Sequence, residues 1–243
     1  MSLSRRKLAP PLPRPAVSAR SYTAANLIYQ ALRDDIVAMR MPPGEPINEK
    51  AAALKYGVSR TPVREALLRL SGEHLVEIFP QSGTFVTRIP IAALPEAILV
   101  RKALEELTAR DAAQNADADQ VAALRQSIDR QQNLARAGDR NLFHEADDTF
   151  HADVAGISGH PSIWRLISQV KLQLDRYRRL TLPVPGRMNR VVDEHAAVVA
   201  AIAAHDGAAA SAAMAAHLDG LSASIRDVRD LNPKYFETPA DPA

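Results

Sequence analysis

The 243-residue chain has no cysteine, few aromatic residues and little glycine. Without cysteine, neither a disulfide framework nor a thiolate-bound zinc site can form, and a reducing cytoplasm is the expected location. Aromatic residues make up 5% of the chain and glycine occupies only 10 positions, whereas alanine is abundant. This balance favours helices over a β-sandwich or barrel.

Long apolar runs are also lacking. The longest, Ala196 to Ala204, is about half as long as a membrane-spanning helix. The basic start, Met1 to Arg6, is followed by a proline-studded stretch and not by the apolar core of a signal peptide. We therefore expect no association with a membrane.

The net charge of +2 conceals an asymmetry. Residues 1–90 contain 13 Lys and Arg against 7 Asp and Glu, whereas the remaining 153 residues contain 17 against 21. A basic front and a mildly acidic back indicate two domains with different partners, the first of them suited to nucleic acid.

The first 22 residues form a basic, proline-rich stretch without acidic residues, which predicts a disordered arm. An apolar stripe at helical spacing follows, with Leu27, Ile28, Leu32 and Ile36 on one face. The first helix is expected to end at the prolines that follow Met41.

Two shorter helices and a hairpin complete the basic part. Asn48–Lys55 fits one helix, and Ser59 can cap the next after a glycine turn. Leu75–Phe79 and Thr84–Arg88 predict two strands of a hairpin. Together they predict a winged helix-turn-helix domain over residues 23–89.

The start of the third helix carries the chemistry for reading DNA. In this motif the first residues of the recognition helix face base edges in the major groove. Arg60 and Arg64 can each bond O6 and N7 of guanine, while Ser59 and Thr61 suit phosphate oxygens. Gly83 at the wing tip allows the backbone to approach the minor groove.

This part of the chain resembles the GntR family of bacterial transcription regulators. The resemblance rests on Pro43–Ile47, Gly57–Leu67 and Ser82–Val86. It implies a homodimer bound to double-stranded DNA at a pseudo-palindromic operator. The DNA contacts that it implies are Lys50, Ser59, Arg60, Thr61, Arg64 and Gly83.

Beyond a linker at residues 90–95, the chain predicts an all-α helical bundle over 96–230 and a flexible tail over 231–243. About six helices are expected. Their predicted breaks lie near Asn115–Asp119, Gly138, Gly156–Pro161, Leu182–Gly186 and Asp206–Gly207.

Four residues of this bundle suit a divalent metal ion. Asp147 and His151 lie four apart and therefore share one helix face. His195 and His217 flank the turn at Asp206–Gly207, each roughly 15 Å from it, so antiparallel helices bring them to similar heights. A lone histidine in such a helix is more often exposed or hydrogen-bonded than a ligand, and Asp148 is a competing carboxylate.

The second half resembles the FadR-type C-terminal ligand-binding (FCD) domain. The matching residues are Asp147, Phe150, His151, Glu194, His195, His217 and Leu218, with Arg101 and Glu105 on the first bundle helix. The resemblance implies that Asp147, His151, His195 and His217 bind zinc, nickel or manganese. Imidazole and carboxylate ligands do not discriminate sharply among these ions.

Four protein ligands on an octahedral ion leave two positions open, which a small carboxylate effector can take. Arg101 could bind the same anion, a role that the resemblance implies, or pair with Glu105 on the helix surface. We interpret Arg178 and Arg179 as charges at the edge of the core or in solvent.

The leading hypothesis is a mainly helical, ligand-responsive repressor. A metal-dependent hydrolase with an accessory DNA-binding domain is the alternative, because an open metal site can activate water. No general base or nucleophile motif supports that alternative. A purely architectural DNA-binding protein would leave the large bundle and its histidines without a role.

Overall fold

Three helices and a small sheet make up the first part of the chain. The computed structural model describes residues 19–222 and 225–237. The elements of this part are α1 (Ala19–Val37), β1 (Pro46–Ile47), α2 (Glu49–Lys55), α3 (Arg60–Gly72), β2 (Val76–Phe79) and β3 (Gly83–Val86).

The first helix begins earlier than expected. Residues 19–22 belong to α1 and not to the predicted disordered arm, whose other residues lie outside the described part. The sequence contains no proline between Pro15 and Pro42, so nothing interrupts the helix on its way back to Ala19.

Apolar faces of α1 and α3 form the core of this part. Ile28, Leu32 and Ile36 recur at helical spacing along α1 and are almost fully buried. They share one apolar cluster with Val63 and Leu67 of α3. The first domain therefore has a core of its own.

The wing is a three-stranded antiparallel sheet with β3 in the middle. β2 and β3 form the predicted hairpin, in which Val76 lies opposite Val86 and Phe79 opposite Gly83. β1 adds a third strand that we did not predict, because two residues are too few to show alternation. Gly83 has a φ of +116°, a conformation that glycine adopts much more readily than other residues.

Eight helices follow in the described part of the chain. They are α4 (Leu94–Asn115), α5 (Ala118–Ala137), α6 (Arg140–Ile157), α7 (Pro161–Val170), α8 (Leu172–Thr181), α9 (Arg187–Ala203), α10 (Gly207–Ser222) and α11 (Ile225–Leu231). The mainly α architecture, with a winged helix-turn-helix followed by a helical bundle, is confirmed. An additional break at Lys171 separates α7 from α8.

Small residues let the central helices of the bundle approach closely. α10 packs along α4 and α9, and Ala112, Ala113 and Ala210 are completely buried where α4 and α10 meet. At Gly207 a Cβ atom would lie 3.0 Å from the side chain of Arg110 and 3.1 Å from its carbonyl oxygen. The start of α10 therefore requires glycine for this contact.

The predicted linker is shorter in the structure. α4 begins at Leu94, so residues 94 and 95 belong to the helix and not to the linker. Pro95 lies in the first turn, where its missing N–H leaves no helical hydrogen bond unmade.

The predicted flexible tail is partly ordered. The Ile89 N–H donates to the Tyr235 carbonyl at 2.8 Å, and the Glu237 N–H donates to the Ile89 carbonyl at 3.1 Å. Phe236 is 2% exposed and belongs to the bundle core. Residues 231–237 therefore correct the prediction, because burial of this ring outweighs the effect of nearby Pro233; residues 238–243 lie outside the described part.

Among the residues described, no helix has both the length and the apolar character needed to cross a membrane.

Replacing Phe236 with alanine should lower the free energy of unfolding of the bundle by about 3 kcal/mol, because it removes a buried aromatic ring and leaves a cavity. Urea unfolding followed by circular dichroism measures the change. Leu231→Ala is the control, because Leu231 is 76% exposed and should change stability by less than about 0.5 kcal/mol. Equal stability of the two variants would contradict the docked tail.

Candidate metal centre and candidate DNA-binding surface

The residues predicted to contact DNA all lie on the surface of the first domain. Lys50 lies in the first turn of α2, and Ser59 precedes α3 as its N-cap residue. Neither of these side chains nor Arg60 or Thr61 at the start of α3 is buried. The four are therefore accessible to a DNA backbone.

A groove between α3 and the wing brings together three of the residues predicted to contact DNA. It has a volume of about 610 Å³ and is lined by Arg60, Arg64 and Gly83, among others. The Arg64 side chain is 62% exposed, and its Nε lies 2.9 Å from Oε2 of Glu49 on α2. The Glu49 contact leaves the two Nη groups of Arg64 for another partner.

Three imidazoles converge at the centre of the bundle. His151 comes from α6, His195 from α9 and His217 from α10, and each is at most 2% exposed. One nitrogen of each ring lies within 4.8 Å of the others. The Nε2 atoms of His195 and His217 are 3.2 Å apart. Helical spacing on either side of the Gly207 turn is what aligns these two rings.

The opposite nitrogen of each ring has its own partner. Nδ1 of His195 lies 2.8 Å from Oε1 of Gln131, and Nδ1 of His217 lies 2.8 Å from Oε2 of Glu194. Because these oxygens are acceptors, we assign the ring proton to Nδ1 in both. Nδ1 of His151 contacts Oε2 of Glu105. This pattern leaves Nε2 of His195 and His217 as two facing lone pairs.

Burial keeps the rings of His195 and His217 neutral. It lowers the pKa of His195 well below its usual value, and the neighbouring His217 ring, with which a second proton would be in repulsion, lowers it further. Burial likewise lowers the pKa of His217, followed by the effect of His151. Neutral imidazole is the form that binds metal ions.

Asp147 completes the cluster from α6. Its carboxylate oxygens lie 3.8 Å from Nε2 of His195 and 3.7 Å from Nε2 of His151. Nη2 of Arg178 lies 2.6 Å from Oδ2. Burial alone would raise the pKa of Asp147, but Arg178 and the imidazoles hold it well below its usual value. The acid is therefore ionised and available to a cation.

The donor set fits a divalent ion. Oδ1 of Asp147 and Nε2 of His151 are buried and have no hydrogen-bond partner among the described residues, whereas Oδ2 of Asp147 pairs with Arg178. Facing lone pairs on His195 and His217 repel each other unless a cation or proton lies between them. One carboxylate and three imidazoles are ligands shared by zinc, nickel and manganese sites, and their outer nitrogens have the hydrogen-bonded partners usual in such sites.

Arg101 lies beside this cluster and is completely buried. Its Nε donates to Oε1 of Glu105, so the pair exists, but within the core and not on the helix surface. Both Nη atoms are buried without a hydrogen-bond partner in the described residues. These free donors suit an anion.

A second group of possible ligands, His144, Asp148 and Asp175, already surrounds a cation. The Lys171 ammonium lies 2.8 Å from Asp148 Oδ2 and 2.6 Å from Asp175 Oδ2. Asp148 therefore pairs with Lys171, whereas Asp147 faces the three imidazoles. His144 is held neutral, because burial and then the charge of Arg178 lower its pKa to about 3.

Sequence reasoning missed several residues around the cluster. Arg178 is 3% exposed and paired with Asp147, so it lies within the core, and not at its edge or in solvent as we predicted. Arg179 is partly exposed and donates to Asn141. Gln131 lies 64 residues from its partner His195, a separation that no local pattern reveals.

Two family models match the chain. Residues 24–86 match "Bacterial regulatory proteins, gntR family", and residues 96–220 match "FCD domain".

Two relatives match most of the chain. The HTH-type transcriptional repressor RspR of Escherichia coli is 32% identical over 209 residues, covering 86% of this chain and 92% of the relative. An HTH-type transcriptional regulator of Streptomyces ambofaciens is 34% identical over 217 residues, covering 88% and 89%.

The solved structure of E. coli McbR/YncC has a similar fold. It superposes with a TM-score of 0.72 at 21% identity, covering 84% of this chain and 97% of that one.

Lowering the pH from 7.5 to 5.0 in the presence of a chelator should reduce the free energy of unfolding. His144, His195 and His217 are held neutral in the fold but take up a proton in the unfolded chain below a pKa of about 6.5. The stability associated with each neutral histidine is therefore fully present above about pH 6.5. Acidification to pH 5.0 should reduce the free energy of unfolding by up to about 2 kcal/mol for each of them.

Urea unfolding at both pH values tests this expectation. His144→Gln should flatten the pH dependence, whereas His160→Gln, at a histidine whose side chain is 51% exposed, should not. A stability that stays level or rises on acidification would contradict buried neutral histidines.

Proposed function

This chain belongs to the GntR family of bacterial regulatory proteins and carries an FCD domain, and on this premise we propose that it is a repressor that senses a small organic acid at a metal centre. The observation that carries the proposal is the convergence of three buried imidazoles and one ionised carboxylate in the bundle. The named relatives are transcription regulators and not enzymes, so the hydrolase alternative has no support.

We assign sequence reading to Arg60 and Arg64 and backbone contact to Ser59, Thr61 and Lys50. The exposure of all five supports these roles. Glu49 holds Nε of Arg64, which leaves the guanidinium edge that matches O6 and N7 of guanine. Gly83 would bring the wing backbone close to the minor groove.

Asp147, His151, His195 and His217 would hold the ion, whether zinc, nickel or manganese. Bound there, it would supply a positive charge with open positions for a carboxylate. Arg101 would bind the same anion through its two free Nη groups, with Glu105 fixing the guanidinium. This pairing would satisfy donors that are otherwise buried without partners.

The regulator would act as a homodimer in the cytoplasm, on a pseudo-palindromic operator whose half-sites reflect its two-fold symmetry. Large apolar side chains on two neighbouring helices support a protein interface. Leu99 on α4 is 66% exposed, and Leu166 on α7 is 54% exposed. An effector would weaken operator binding only if it bound one domain arrangement more tightly than another.

The Arg60→Ala, Arg64→Ala double variant should lose sequence-specific binding to the promoter fragment of its own gene. Each guanine contact accounts for about 1–3 kcal/mol of discrimination, so the two together should cost about 2–6 kcal/mol. Gel retardation at fixed salt, with a shuffled fragment as competitor, measures the loss. Arg125→Ala removes one exposed charge from the bundle and should bind normally. Unchanged binding by the double variant would refute the assigned recognition surface.

Purified protein should contain about one divalent ion per chain, and His195→Ala, His217→Ala should contain almost none. A milder variant, Gln131→Leu, removes only the acceptor that orients His195 and should weaken zinc binding about 10–100-fold.

Elemental analysis and calorimetric zinc titration of the chelator-treated protein provide the measurements. His160→Gln serves as the matched control, because this histidine is half exposed and does not belong to the group of converging imidazoles. A folded wild-type protein that neither contains nor takes up metal would rule out the centre.

A further inference from the structure

Helix α8 contacts two regions, the proposed metal-binding cluster and the joining segment. The joining segment is residues 87–89, which lead from the first domain towards the bundle. Residues two apart on an α-helix project about 200° apart, so Arg176 and Arg178 point to opposite sides of α8. Both are at most 3% exposed. Each has a different set of partners.

Arg178 faces the cluster. Its Nη2 lies 2.6 Å from Oδ2 of Asp147, and its Nη1 lies 3.7 Å from Oδ1 of Asp148. The guanidinium is thus placed between two neighbouring carboxylates. Only Asp147 is directed at the imidazoles, so a change at the cluster alters one of the two attractions.

Arg176 faces the segment that joins the domains. Its Nη2 donates to the Thr87 carbonyl, and its Nη1 donates to the Thr87 hydroxyl at 3.2 Å and to Oε1 of Gln173 at 2.7 Å. Gln173, also on α8, donates to the His74 carbonyl at 2.9 Å. One helix therefore holds two backbone carbonyls on the side of the first domain.

The joining segment is held from its other side as well. Ile89 exchanges two backbone hydrogen bonds with residues 235–237, and Arg88 donates to the Lys234 carbonyl at 3.2 Å. Residues 87–89 thus lie between α8 and residues 234–237. The position of residues 87–89 therefore depends on α8, which holds Thr87 through Arg176.

We propose that α8 couples the metal centre to the DNA-binding domain, with Arg178 as the positioning residue at the cluster and Arg176 as the positioning residue at residues 87–89. The inference rests on the proposed metal site. An ion bound at Asp147 would compete with the Arg178 guanidinium for the same carboxylate. Arg178 would then shift towards Asp148, its nearest alternative partner. Because a ten-residue helix moves as a unit, a shift of Arg178 displaces Arg176 and the backbone that it holds.

The test follows the Ile89 amide by hydrogen exchange, in the full-length protein with and without saturating zinc. In the wild type, zinc should change the exchange rate of this amide by about fivefold or more, the lower end of measured coupling between sites. In Arg176→Gln the amide should no longer respond, although zinc affinity measured by calorimetry stays within about twofold of wild type, because Arg176 does not touch the cluster.

Two further variants separate coupling from loss of structure. Arg178→Gln removes a positive charge next to the ion and should bind zinc several-fold more tightly, the opposite of what a damaged site would do. Arg179→Gln is the matched control on the same helix; its Nη1 donates to Asn141, and it should respond to zinc like the wild type. If Arg176→Gln does not fold, Arg176→Lys, which keeps one donor, should respond less than wild type and decides the question.

The coupling would be overturned if zinc left the exchange rate of the wild-type Ile89 amide unchanged, or if zinc changed this rate fully in an Arg176 variant. Either result would leave the proposed regulator intact. A wild-type protein that fails to bind zinc at all would instead overturn the proposed metal site, and the coupling with it.

Discussion

The bundle depends on keeping three buried imidazoles fixed in orientation around one centre. Each ring is held through Nδ1 by an acceptor, namely Glu105 on α4, Gln131 on α5 or Glu194 on α9. These contacts bring five of the helices around one polar centre, because the rings themselves come from α6, α9 and α10. The small residues between α4 and α10 allow the approach that the arrangement needs. Packing and site chemistry are thus two aspects of the same constraint.

Charge balance around this centre gives a reason for an anionic effector. Among the described residues, buried Glu105 pairs with Arg101, Asp147 with Arg178, and Asp175 with Lys171. A buried charge without a partner costs several kcal/mol, so these pairs leave little net charge in the core. A divalent ion would add positive charge to this core. The existing carboxylates would not balance it, because arginine and lysine side chains already neutralise them. A bound carboxylate would offset that excess, whereas a neutral ligand would not.

The sequence predicts periodic features well and long-range polar contacts poorly. The stripe at Ile28 and Ile36 and the helix breaks at glycine and proline are local, so the helices could be predicted from them. The heights of His195 and His217 followed from their similar distances from the turn at Asp206–Gly207. Gln131 and Arg178 could not be found in this way, because their partners lie 64 and 31 residues away and nothing local distinguishes them from exposed polar residues. Phe236 was missed for a related reason: the prolines around it predict fraying, and only the core next to Ile89 explains its burial.

The short connection between the domains explains how a buried sensor can influence DNA binding at a distance. A long flexible linker would let the first domain reorient whatever happened in the bundle. Here residues 87–89 are held by Arg176 on one side and by residues 234–237 on the other, and α4 starts at Leu94. The segment that follows the wing is therefore held on both sides. In the proposed two-fold dimer the orientation of the first domain would fix the spacing between the two recognition helices, and operator half-sites have a fixed spacing of their own. A small rotation of one domain would then make the spacing of the recognition helices differ from that of the half-sites. The bundle would therefore control DNA binding without contacting the DNA.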